Sequence, residues 1–130
     1  MGKSQYLIDS NVVIDYLGGH LPPNAMELMH KIVDATPRLS IISKIEILAY
    51  NFPTKQSFEI TKDFINSSLI YNLNGDIVET TIELRKNFRI KLPDAIIAAT
   101  ALVNNFELIT RNTKDFKKIK SLKVMDPFDL

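Results

Sequence analysis

The chain has 130 residues, 45% of them hydrophobic and 24% charged, with a formal net charge of +1. That length suits one domain over residues 1–130, and the near-neutral charge excludes bulk phosphate neutralisation as the main mode of binding nucleic acid. There is no cysteine, which excludes disulfides, thiolate zinc sites and a cysteine nucleophile.

Tyr6-Leu7-Ile8 reads as a short buried strand. Residues 11–17 form a first helical stretch, stopped by Gly18-Gly19. Pro22-Pro23-Asn24 opens a second helix, in which Met26, Leu28, Met29, Ile32 and Val33 recur near helical spacing, and Pro37 ends it. Leu39-Ser40-Ile41-Ile42 is a second strand, and Ser43 caps a third helix that runs to about Tyr50 before Pro53. Residues 55–65 make a fourth helix with Phe58, Ile60, Phe64 and Ile65 as apolar positions, and Leu69-Ile70-Tyr71-Asn72-Leu73 is a third strand. Residues 76–87 form a fifth helix, and residues 93–104 a sixth that is apolar on most sides and therefore buried. Leu108-Ile109-Thr110 is a fourth strand, and residues 122–125 are the candidate for a fifth. Strands alternating with helices imply an α/β fold with a mostly parallel sheet and helices on both faces.

The apolar run after Met1-Gly2-Lys3-Ser4-Gln5 is too short for a signal-peptide core, and Asp9 interrupts it. The longest apolar run, residues 95–103, contains Thr100 and is too short to span a bilayer. A soluble, cytoplasmic protein with no membrane contact is expected.

Acidic residues punctuate the pattern. Asp9 ends the first strand, Glu46 lies in the helix after the second, Asp94 opens the sixth helix, and Asp115 follows the fourth strand with Asn112 just before it. Ligand sites of parallel sheets lie outside the carboxyl ends of the strands. Carboxylates converging there suit hard divalent cations, which take oxygen ligands. Each acid also has a bland explanation. Ser43-Lys44-Ile45-Glu46 fits a capping box, Asp9 suits the cap of the helix after it, Asp94 suits the positive end of a helix, and Asn112 with Asp115 suits the cap of a short turn. Stabilising caps need not share one sheet edge, whereas a metal site requires it.

Four segments carry a resemblance: Leu7-Ile8-Asp9-Ser10-Asn11-Val12, Ser43-Lys44-Ile45-Glu46-Ile47, the run 91–101 around Pro93-Asp94-Ala95, and the run 108–116 around Thr110-Arg111-Asn112. In order and spacing the chain resembles the PIN-domain ribonucleases, in particular the VapC-type toxins of toxin–antitoxin pairs. The resemblance implies a PIN-like fold with a central, mostly parallel twisted sheet of four or five strands flanked by helices. It implies a metal-binding acidic quartet carried by Asp9, Glu46, Asp94 and Asp115, with Asn112 as the alternative fourth ligand. Ser10 and Thr110 look like hydroxyls that orient the carboxylates. Mg²⁺ or Mn²⁺, an RNA substrate, a neutralising antitoxin and frequent homodimers follow from the same resemblance.

Clustered carboxylates with such a cation activate water against a phosphodiester without a side-chain nucleophile. A metal-free ribonuclease would usually rely on histidine, and His20 and His30 both fall outside the motifs. Arg111, Lys91 and Lys114 lie within a few residues of the acids and suit contacts to flanking phosphates, or ordinary surface charge. Lys114, Lys117, Lys118, Lys120 and Lys123 crowd the region around Asp115, as a solvated face or a phosphate-binding edge. Met26, Leu28, Met29, Phe58 and Phe64 suit either core packing or a groove for an antitoxin helix. The rival to a nuclease is a non-catalytic PIN-like binding module in which the acids only cap helices. An aspartyl-nucleophile phosphatase is disfavoured because Asp9-Ser10-Asn11 lacks a second acid two residues on.

Overall fold

A computed structural model describes residues 5–130; residues 1–4, part of the segment weighed above as a leader, lie outside the described residues. β1 (Tyr6–Ile8) leads into α1 (Ser10–Leu17), α2 (Pro23–Asp34), β2 (Arg38–Ser40), α3 (Ile41–Leu48) and α4 (Lys55–Asn66). β3 (Leu69–Tyr71), α5 (Gly75–Asn87), α6 (Leu92–Asn104), β4 (Glu107–Ile109), α7 (Thr113–Phe116) and β5 (Val124–Met125) follow, with a 3-10 turn at Pro127–Asp129. The Gly18-Gly19 stop is observed: Gly19 takes φ 72°, which costs little without a Cβ.

Every strand pairing among the described residues is parallel. Leu7 pairs with Leu108, Leu108 with Val124, and Leu39 with Ile70. Ladder hydrogen bonds run through β1-β4-β5 and through β2-β3, and β1 lies beside β2, so the five strands line up β3-β2-β1-β4-β5. This is the expected α/β architecture, with one break in the ladder.

The strand side chains alternate between two cores, as the pleat requires. Leu7 and Leu108 enter one core with Ile77, Leu84, Ile97 and Phe116 from α5, α6 and α7. Ile8 and Ile109 enter the other with Val12, Met29, Leu39 and Ile47 from the first half of the chain. Full burial of a Leu, Ile or Phe side chain contributes about 1.5–3 kcal/mol. Residues 95–101 of α6 are all buried, four of them alanines. Small side chains let α5 and α6 pack closely along their lengths. No helix among the described residues is long and apolar enough to cross a membrane.

The second strand ends earlier than its apolar pattern suggests. Ile41 and Ile42 are the first residues of α3, because Ser40 is its N-cap: the Ser40 Oγ accepts from the Ile42 amide at 3.1 Å. The cap overrides the β preference of two isoleucines. Ser43 is therefore not the cap. It is a buried residue of the first helical turn, and its Oγ has no hydrogen-bond partner. Shorter shifts occur elsewhere: Thr110 falls just past β4, although its amide still donates to Met125 O at 3.0 Å. Met29 is fully buried in the second core and Met26, Leu28 and Phe64 pack against it, so most of the suggested groove residues serve the core.

The register at α3 is directly testable. Ser40→Ala removes a cap and should destabilise by about 1 kcal/mol. Ser43→Ala removes an unpartnered buried hydroxyl and should be neutral or stabilising. Urea denaturation of both variants reads the two signs; the opposite pair would restore Ser43 as the cap.

Candidate active site

The site begins with Asp9, whose backbone continues the β1 ladder: its amide donates to Ile109 O at 2.9 Å. Asp9 is only 5% exposed, so its carboxylate must be compensated from within. One oxygen accepts from the Ser10 amide at 2.8 Å, which makes Asp9 the N-cap of α1. The other accepts from the Thr110 hydroxyl at 2.8 Å, across the β1–β4 pair. Thr110 Oγ1 in turn accepts from the Asn112 amide at 3.0 Å. These bonds do not fully offset burial. Desolvation, helped by the nearby Glu46 charge, pushes the Asp9 carboxyl above its ordinary range.

Glu46 approaches from the exposed side of α3. Its Oε1 accepts from the Ser10 hydroxyl at 2.9 Å, so it reaches toward Asp9 rather than folding back on Ser43. The anticipated capping box is absent, because Ser43 is inside the helix rather than ahead of it. Asp94 arrives from the first turn of α6, after Lys91 and Pro93. It is half-buried, and burial pushes its carboxyl up, with the charges of Asp9 and Asp115 adding to the effect and Lys91 opposing it. The macrodipole of α6 favours a charge at that position, but two neighbouring carboxylates and lost hydration outweigh it.

Asn112 and Asp115 lie beyond β4. Asn112 is the N-cap residue of α7 without a side-chain cap bond; its Nδ2 donates instead to Asp115 Oδ2 at 3.1 Å. The Lys118 ammonium lies 3.8 Å from the other Asp115 oxygen. Arg111, read as a phosphate contact, has its guanidinium on Asp15 Oδ2 at 2.9 Å and 4.4 Å above the Phe128 ring. Lys91 and Lys114 are both exposed, and Lys91 is near enough to act on Asp94. Asp15 escaped the motif reading because its partner Arg111 is 96 residues away. The two histidines lie apart: His30 Nδ1 is 2.9 Å from the Tyr16 hydroxyl, and His20 lines a hollow of about 280 Å³ beside Phe52 and Pro53.

Residues 6–122 match the family model of the PIN domain. The chain belongs to the PIN-domain family. It is 30% identical over 95 residues to a "Ribonuclease VapC" of Rickettsia bellii (strain RML369-C), spanning 73% of this chain and 63% of that protein. Among solved structures, a toxin–antitoxin complex from Klebsiella pneumoniae aligns with a TM-score of 0.74 at 32% identity, covering 97% of this chain and 100% of that one. VapBC-1 from nontypeable Haemophilus influenzae aligns with a TM-score of 0.74 at 26% identity, covering 94% and 97%.

The donor chemistry of this PIN domain suits a hard cation. The side chains gathered at the sheet edge offer carboxylate oxygens in excess of positive partners, and two of them are held above their ordinary pKa by burial and mutual repulsion. Among the described residues, no three Asp, Glu or His side chains are already drawn onto one cation position. Glu46 rests on Ser10, and Asp115 on Asn112 and Lys118, so both are engaged by groups that a cation would compete with. The fit is one of ligand type and charge, not of a closed cage.

Two expectations follow for the metal-free protein. The folded state binds the Asp94 proton more tightly than the unfolded chain, so this residue lowers stability as pH rises from the ordinary carboxylate range through its raised pKa, and the penalty persists at neutrality. Asp94→Asn should therefore raise the neutral-pH thermal midpoint in EDTA, and its advantage should vanish in acid. A lower midpoint at neutrality would mark Asp94 as a cap. Thr110→Val removes the donor to Asp9 and the acceptor of the Asn112 amide. Urea denaturation should show a loss of about 1–3 kcal/mol, and no loss would refute the bridge.

Proposed function

We propose that this PIN domain is a divalent-cation-dependent endoribonuclease and the toxin of a toxin–antitoxin pair. What supports the chemistry is that Asp9 feels the charge of Glu46, and Asp94 those of Asp9 and Asp115, so that carboxylates from four separate segments form a chain of electrostatic neighbours. What supports the biological role is the likeness to a ribonuclease VapC and to a toxin–antitoxin complex. Asp9 and Asp94 would hold the cation, because burial leaves them most in need of a positive partner. Glu46 would complete the set from α3, and Asp115 from α7 or Asn112 just before it. When bound, Mg²⁺ or Mn²⁺ neutralises these charges, polarises the attacking water and stabilises charge on the phosphoryl oxygens.

The chain's own residues position that chemistry. Thr110 holds one Asp9 oxygen and Ser10 holds Glu46, which restricts both carboxylates to defined orientations. Water attacks phosphorus in line and gives up a proton as its bond forms, the bond to the 3′ oxygen breaks, and that oxygen takes up a proton and leaves as a hydroxyl. The products are a 5′-phosphate and a 3′-hydroxyl. No histidine lies at the acidic cluster to run the alternative route through the 2′-hydroxyl. Lys91 and Lys114 contact flanking phosphates and carry no sequence reading, whereas Arg111 is already engaged by Asp15 and Phe128. A cognate antitoxin neutralises the enzyme. A homodimer would cover apolar surface such as Val78 and Ile82, one turn apart and exposed on α5. The non-catalytic alternative draws on the fact that Asp9 does cap α1.

The purified chain should cleave RNA with Mg²⁺ or Mn²⁺ and stop when EDTA is added. Asp94→Ala should lose at least 100-fold in rate, taking about 2.7 kcal/mol as the scale for one lost electrostatic contact to the reacting group, while keeping its circular dichroism spectrum. End-group analysis should find 5′-phosphates. Cyclic 2′,3′-phosphates, or cleavage that survives chelation, would overturn the mechanism.

A further inference from the structure

A concave surface of opposite charge adjoins the acidic cluster through Asp115. A hollow of about 340 Å³ is lined by Arg85, Arg89, Ile90, Lys91, Asp115 and Lys118. Four of these six residues are cations and one is an anion. The hollow is built rather than incidental. Arg85 Nη1 donates to Ile90 O at 2.9 Å, and Lys118 Nζ donates to Arg89 O at 3.1 Å. Two cations, one from α5 and one just after α7, thereby clip the backbone of the connection between α5 and α6. The two other cations, Arg89 and Lys91, belong to that clipped connection. Among the described residues, neither Arg89 nor Lys91 makes an ion pair.

Asp115 and Lys91 tie this hollow to the acidic cluster. Both line it, and both act on the Asp94 carboxyl. A nucleic acid strand lying over the acids presents its next phosphate one nucleotide away, and a repeating anion needs a cationic rest on one side of a cation-loaded acidic centre. Arginine offers a planar fork matched to phosphate oxygens, and lysine a point charge.

We propose that the Arg85–Arg89–Lys91–Lys118 hollow is a subsite for an internal phosphodiester of the RNA strand, next to the one cleaved, with Arg89 as its main free contact. This rests on the ribonuclease assignment for the identity of the strand, but its test needs no cleavage. The full chain is titrated in EDTA with fluorescein-labelled single-stranded oligoribonucleotides of several sequences, with a 5′-hydroxyl or a 5′-phosphate, over a range of salt. Arg89→Gln removes one phosphate contact from an exposed side chain and should leave the thermal midpoint unchanged. The slope of log affinity against log salt should fall by about 0.7, equivalent to about fivefold weaker binding at about 0.1 M salt, and equally for all sequences and both 5′ ends. Lys91→Gln should act in the same direction.

Unchanged slopes in both variants would overturn the subsite while leaving RNA cleavage by the wild type untouched. A loss confined to 5′-phosphorylated oligoribonucleotides would also overturn it, since the hollow would then hold a terminal phosphate. If the wild type binds RNA with the stated Arg89 dependence but never cleaves it, the subsite stands and the nuclease assignment falls.

Discussion

Much of this structure depends on one buried carboxylate. Asp9 ends β1 where two hydrophobic cores meet, and water reaches little of it. Such a group is tolerated only where donors are already aimed at it. The Ser10 amide is supplied by the start of α1, and the Thr110 hydroxyl by the residue just past β4, the strand paired to β1. The parallel register that sets Ile8 opposite Ile109 is therefore also what sets Asp9 beside Thr110. Burial remains incompletely offset, which holds the Asp9 carboxyl above its ordinary range.

Capping and chemistry are not competing explanations here. Asp9 caps α1 and stands at the centre of the acidic cluster with the same two oxygens. Asp94 sits in the first turn of α6, where the helix end favours negative charge, while its neighbours disfavour it. Helix starts gather at the carboxyl edge of a parallel sheet because every crossover leaves the strands there. Acids recruited as caps are thus brought into mutual range by the topology alone. Glu46 and Asp115 make no cap bond: Glu46 accepts from a hydroxyl of a different segment, and Asp115 from the Asn112 side chain.

A formal net charge of +1 conceals a sharp separation of charge. Carboxylates collect at the sheet edge, and four cations collect in the adjoining hollow. Lys118 touches both, through Asp115 and the backbone carbonyl of Arg89. Local fields, rather than the net charge of the chain, would set how a polyanion approaches such a surface. Arg111 shows the other use of a cation: paired with Asp15 and stacked on Phe128, it ties α1 to the C-terminal 3-10 turn.

The sequence by itself determined the parallel α/β order, the buried sixth helix and the positions of the acids. Strand-length apolar runs, glycine and proline stops and helical spacing are local signals, and each is written within a few residues. The tertiary structure alone decided which groups meet. Ser40 rather than Ser43 caps α3 because the chain turns one residue after a strand whose end is set by pairing with β3. Glu46 faces Ser10 across 36 residues, Thr110 faces Asp9 across 101, and Arg111 faces Asp15 across 96. Arg85, Arg89 and Lys118 form a hollow only once α5, α6 and α7 are packed. No window of sequence contains such pairs, because their energies come from strand register and helix packing, which exist only after the chain has closed on itself.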